Sequence, residues 1–337
     1  MAKVLVTGMT SPQSSKKLNA KSLSFAGAAS QILEKSGHRV EWGAPNVNFL
    51  RKDYDKYDAF LVGIAPALSV TANRAYGVLS FIDAFREDER LKFFVDSPNI
   101  SSIAANLRAI DKDKTRLFTT FYALRKEYEA VIINMKVKNA VLSAVEFLNS
   151  EEWPSTIIPV TPWSSAESFS SALSENAAKF VSTICVDSFF IEPSLRLFHG
   201  DRSRTWLLNT DKTKWIESTL HSLTLPHSSM KKKRSDDDES VFKRMQSSFG
   251  ALISPEDNGS ISWSHRWAQA LNAGAPVASD WKITSSIGPA WSHLAAGIEE
   301  MSEIDRYELS VLQRQEYTSS IPSQDTVTDT LQRIIGV

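Results

Sequence analysis

The 337-residue chain holds a single cysteine, Cys185, so it can form no internal disulfide and suits a reducing compartment. Cys185 lies in the apolar run Ile184-Cys185-Val186, which reads as a buried and inert thiol. No apolar run approaches a membrane span, so no membrane partner is expected. Val4-Leu5-Val6 is too short for a secretory leader core, and the expected location is the cytoplasm. The formal net charge is −1, which supplies no global field toward nucleic acid but leaves a local basic patch open. The first βαβ stretch lacks both G-x-G-x-x-G and G-x-x-x-x-G-K-S/T. A nicotinamide cofactor or a P-loop nucleotide is therefore disfavoured at that end. No metal site is expected.

What is present is an alternation of short apolar runs and helical periods. The length favours two domains over one. Strands are predicted at Lys3–Val6, Arg39–Trp42, Tyr57–Gly63, Leu91–Val95, Thr156–Val160 and Thr183–Val186. Helices are predicted over 22–35, 71–86, 112–149 and 167–181. This is the pattern of a doubly wound α/β sheet. The loop after the first strand holds Thr10 and Gln13, either substrate contacts or plain turn residues. Asp96 stands at a strand's carboxyl end, just before Ser97-Pro98. It reads as a candidate general base or as a helix cap.

A second domain opens near residue 193 with Leu195-Arg196-Leu197-Phe198-His199-Gly200, a predicted strand into a glycine. Arg202 and Arg204 follow, either as phosphate ligands or as solvated surface arginines. Lys231-Lys232-Lys233-Arg234 runs into Asp236-Asp237-Asp238-Glu239. The two blocks nearly cancel and read as a surface loop, with the basic half open to a polyanion.

The most informative stretch runs from Phe249 to Trp281. An apolar strand, Phe249–Ile253, is broken by Pro255, Asp257, Asn258 and Gly259. A helix follows to about Asn272, ended by Ala273-Gly274, and Ala275-Pro276-Val277-Ala278 begins another strand. On that helix Trp263, Trp267, Ala270 and Leu271 share a core face. Arg266 and Gln269, three apart, share a flanking face. That face is either solvated surface or, with Gly259 and the helix amino end, an anchor for a diphosphate.

Gly259, Trp263, Arg266, Gln269 and Ala270-Leu271-Asn272-Ala273-Gly274-Ala275-Pro276-Val277 resemble the donor-binding signature of GT-B glycosyltransferases. In that signature a Gly, an aromatic, an Arg, an acid and Ala-Leu-x-Ala-Gly-x-Pro-Val occur in this order. Gln269 stands where the family has a glutamate that accepts from the donor ribose; glutamine keeps an acceptor oxygen and loses the charge. The opening Val4-Leu5-Val6-Thr7-Gly8-Met9-Thr10-Ser11-Pro12-Gln13 is similar to the start of phage-encoded glycosyltransferases, several of which modify hydroxymethylated pyrimidines in DNA.

The resemblance implies a GT-B fold of two Rossmann-like, doubly wound domains facing a central cleft. The first would span 1–192 and take the acceptor, and the second, 193–315, the donor. Residues 316–337 would return as a helix bracing the first. Donor ligands would be Arg202, Arg204, Gly259, Arg266 and Gln269. Thr10 and Gln13 would lie in the acceptor or phosphate loop, and Asp96 would be the base of an inverting hexosyl or pentosyl transfer. A UDP-sugar is the expected donor, double-stranded DNA the expected acceptor, and a monomer in the host cytoplasm the expected state. A glycan or small-molecule acceptor, a sugar-nucleotide epimerase and a non-catalytic nucleotide-sugar-binding protein are the alternatives.

Overall fold

The computed structural model describes residues 1–8, 25–43, 50–64, 72–96, 136–153, 155–161, 163–196, 198, 200–208, 218–229, 238–253, 263–278 and 287–337. The chain divides into two units, one of residues 1–186 with 324–337, the other of residues 187–323.

The first unit is built on five parallel strands: β1 (Lys3–Gly8), β2 (Arg39–Trp42), β3 (Ala59–Ile64), β4 (Leu91–Asp96) and β5 (Thr156–Val160). Their order is β2-β1-β3-β4-β5. Val4, Leu5 and Val6 are all buried, as are Phe60, Leu61 and Val62. Such strands, apolar on both faces, belong in a parallel sheet covered on both sides. The covering helices include α1 (Phe25–Lys35), α2 (Ala72–Ala84) and α3 (Lys136–Ser150). Aromatic rings fill one side of the sheet, with Phe60 4.8 Å and Phe81 4.6 Å from Phe85, centroid to centroid.

The chain reverses its direction of travel across the sheet between β1 and β3, the place where doubly wound sheets open a crevice at their carboxyl edge. Gly8 and Gly63 pair there. A Cβ on Gly8 would come within 2.8 Å of the Gly63 carbonyl oxygen, so the backbones close up only because side chains are missing.

Beyond β5, residues 163–178 form two helices, α4 (Trp163–Ser171) and α5 (Glu175–Ala178), where one helix over 167–181 is predicted. Ser174 causes the break. Its side chain accepts the Ala177 N–H and starts a new helix. Residues 181–184 make only isolated bridges to β5, in place of the predicted strand. Cys185 is buried.

The second unit has four parallel strands: β6 (Trp206–Leu208), β7 (His227–Ser229), β8 (Gly250–Leu252) and β9 (Val277–Ala278), in the order β7-β6-β8-β9. Its switch point lies between β6 and β8. The helices are α6 (Asp238–Gln246), α7 (Trp263–Asn272), α8 (Ala295–Glu299) and α9 (Glu303–Ser320). A capping box fixes the start of α9. Ser302 accepts from the Asp305 N–H, and the Asp305 carboxylate accepts from the Ser302 N–H.

The last helix, α10 (Gln324–Ile335), packs in the first unit beside α1, burying Val327, Leu331 and Ile335. The first unit ends at 186 rather than 192 because Asp187 is bonded into the second. Among the described residues no helix is long and apolar enough to cross a membrane.

Candidate functional site

Helix α7 leaves the carboxyl end of β8 after the 254–262 connection and returns to the start of β9. Its amino end therefore lies at the carboxyl edge of the second sheet, where such folds take ligands. Of the predicted core face, the Trp263 side chain lies outside what is described and the other three residues are as predicted. Trp267, Ala270 and Leu271 are buried, and Trp267 stacks 4.9 Å from Trp291 and 6.0 Å from Tyr317.

The flanking face is not solvated. Arg266 and Gln269 are each 6% exposed, and Ser264, His265 and Asn272 are buried too. The helix is thus enclosed all round while carrying five polar side chains. A polar group removed from water destabilises the fold unless it finds partners, and Ser264, Arg266, Gln269 and Asn272 find hydrogen-bond partners. Arg266 Nη1 donates to Gln269 Oε1 at 2.6 Å. Ser264 Oγ donates to Asp187 at 2.8 Å, and the other oxygen of that carboxylate accepts from Tyr317 at 2.9 Å.

Asn272, at the far end, donates to the Phe190 carbonyl, and its Oδ1 accepts from the Glu192 N–H and from Arg314. Arg314 also donates to the Glu192 carbonyl. Burial holds the Arg314 guanidinium below its ordinary value, with Glu192 opposing. His265 lies edge-on to Phe190, 4.8 Å between centroids.

The expected site residues fall into four groups. Arg266 and Gln269 come together on one helix face, in contact with each other. Asp96 ends β4, its backbone in register with Val160 of β5, so it does stand at the carboxyl edge of the first sheet. Thr10, Gln13 and Gly259 lie outside the described residues, as do Lys231–Arg234.

Arg202 and Arg204 require a correction. Among the described residues of 195–200 none is in a strand; the first described strand of the second unit is β6, and both arginines precede it. They stand at the amino edge of the sheet, opposite the edge where α7 begins. Arg202 Nη1 donates to the Gly274 carbonyl at 2.8 Å and Nη2 to the Ala273 carbonyl at 3.4 Å. Arg202 thus caps the carboxyl end of α7, where unpaired carbonyls attract a cation. Gly274 itself has φ +66°, the left-handed turn that ends the helix.

Sequence reasoning missed Asp187, Gln313 and Tyr317. Each reaches α7 or β9 from a distant part of the chain, and no local pattern marks them. Among the described residues no group of three or more His, Cys, Asp or Glu side chains could hold a metal ion. No family model matches this chain, and no curated protein matches it in sequence.

Proposed function

We propose that the chain is a GT-B glycosyltransferase that moves a sugar from a nucleotide donor to a hydroxyl acceptor. The observation that carries this reading is the placement of Arg266 and Gln269. They share one face of the helix that leaves β8 at the carboxyl edge of the second parallel sheet. Two parallel-sheet units and a terminal helix packed in the first one add support.

The donor diphosphate takes guanidinium N–H groups of Arg266 other than the one given to Gln269, since arginine carries five. Gln269 sets the guanidinium's orientation through its Oε1, and its amide faces the donor ribose. A UDP-sugar is the donor class. The proposed acceptor is a hydroxymethylated pyrimidine in double-stranded DNA, on the resemblance of residues 4–13 to phage enzymes.

The test is product analysis with radiolabelled UDP-glucose, offered hydroxymethylated duplex DNA and, separately, soluble sugars. Label in the DNA, falling steeply as salt rises, is the expected result. Label in a soluble sugar alone would replace the acceptor, and an epimerised or unchanged donor would overturn transfer altogether.

Arg266→Ala is expected to weaken UDP binding by roughly 1.5–3 kcal/mol, the range for hydrogen bonds to a charged group. Calorimetry measures it, with circular dichroism to verify the fold. Unchanged affinity in a folded variant removes Arg266 from the site.

A further inference from the structure

At the amino ends of the second unit's strands lies a pocket of about 290 Å³. Phe249 and Pro276, which line it, immediately precede β8 and β9, and Arg202 stands four residues before β6. It therefore opens on the sheet edge opposite the amino end of α7. Six residues of helix, about 9 Å of axis, separate Arg266 from Asn272 at that far end. Its remaining walls include Phe198, Tyr307 and Arg306. The volume falls just below the range of about 300–1,000 Å³ found for small-ligand sites.

The charge in this pocket is not balanced. Arg196 is bound to Glu192 and Glu239, so its charge is already compensated. Among the described residues, no carboxylate lies within 4.0 Å of the guanidinium nitrogens of Arg202 or Arg306. Arg202 meets the carbonyls at the end of α7, which offer about half a negative charge. Arg306 donates to the Met301 carbonyl at 3.2 Å and stacks 3.9 Å above the Phe249 ring, both neutral partners.

Glu303 is the one acid lining the pocket. Arg204 adds a further positive charge near Arg306. Burial pushes both guanidinium groups down against the opposing Glu303, with Arg204 adding to the effect on Arg306 and Arg306 to that on Arg202. Two partly buried arginines, one acid and half a helix charge leave the cavity positive even before Arg204 is counted. Phe198 and Tyr307 give it an aromatic wall, Tyr307 being 43% exposed.

We propose that this pocket binds a small phosphomonoester with a flat, apolar body. The phosphoryl oxygens take N–H groups of Arg202 and Arg306, whose planar forks match them. The body lies against Phe198 and Tyr307. The site is separate from the donor site and stands whether or not the chain transfers a sugar.

Phenyl phosphate is the probe, titrated into the whole protein by calorimetry, with inorganic phosphate as the comparison. Saturable binding of phenyl phosphate, tighter than that of inorganic phosphate, is expected. Arg306→Gln should weaken it about tenfold, the loss of one charge-assisted hydrogen bond. Ile304, on the rim, is 70% exposed. Ile304→Glu therefore leaves the fold intact and should abolish binding by repulsion.

Absence of saturable binding would overturn the site. So would equal affinity for inorganic phosphate, or binding indifferent to Ile304→Glu.

Discussion

Asp96→Asn is expected to lower glycosyl transfer by roughly 10²–10⁴ while leaving UDP affinity unchanged, the usual share of acid–base catalysis. An acceptor hydroxyl is a weak nucleophile near neutral pH, so an inverting transfer needs a carboxylate to take its proton. The described acids of the first unit narrow the choice. Asp58 accepts the Lys3 N–H at 2.7 Å, at the amino edge of the sheet. Asp88 is gripped by Arg90, whose Nε and Nη2 donate to it at 2.9 and 2.7 Å. That hydrogen-bonded pair holds the Asp88 carboxyl below its ordinary value, which makes it a poor base.

Glu41 is held down to about 2 by the Tyr57 hydroxyl, with Lys3 adding to the effect. A carboxylate so stabilised has little appetite for a proton. Asp96 alone among the acids on the described strands ends a central strand at the carboxyl edge. Initial rates at saturating donor, with calorimetry of UDP on the same variant, measure the effect. Near-normal turnover would point to a different base or to a retaining mechanism.

The apolar runs made most of the strands readable, because a strand buried on both faces is apolar at every position. Lys3–Val6 and Thr156–Val160 were legible in this way. The period of α7 was equally plain, since Trp267, Ala270 and Leu271 return every turn. Its enclosure was not. Arg266 and Gln269 bond to each other three residues apart, a spacing that fits a solvent face as well as the buried one they occupy. Asp187 lies 77 residues from Ser264 and 130 from Tyr317, and no window of sequence contains such pairs.

The absence of the predicted strand among the described residues of 195–200 has a different cause. Leu195-Arg196-Leu197-Phe198 carries strand-like character, but the Arg196 N–H donates to the Asn272 carbonyl, and the Arg196 carbonyl accepts from the Gln246 side chain. The backbone groups of Arg196 are thus satisfied by a helix end and an amide rather than by a neighbouring strand. That misplacement moved Arg202 and Arg204 to the wrong edge of the sheet.

Gln313→Leu is expected to destabilise the second unit by roughly 2–6 kcal/mol, the cost of stranding the two backbone groups of Val277 at about 1–3 kcal/mol each. β9 is an edge strand two residues long, paired on one side with β8. Ala251 and Ile253 donate to the carbonyls of Pro276 and Ala278, so the N–H and C=O of Val277 face the other way. A neighbouring strand would normally take both. Here the Gln313 side chain does so. Its Oε1 accepts the Val277 N–H at 2.9 Å, and its Nε2 donates to the Val277 carbonyl at 2.8 Å and to Ala290 at 3.2 Å.

Gln313 is fully buried, so no water replaces those bonds when the amide is lost. Leucine fills much of the same space and supplies neither donor nor acceptor. Gln313→Glu separates hydrogen bonding from shape. It has the same outline and still accepts from Val277, but it turns the two-carbonyl donor into a second acceptor facing them. Urea unfolding of the three proteins measures the differences. If Gln313→Glu were as stable as the parent, the amide would not be standing in for a strand. The sheet edge at β9, and with it the carboxyl end of α7, would owe its position to packing of Trp267, Trp291 and Tyr317 alone.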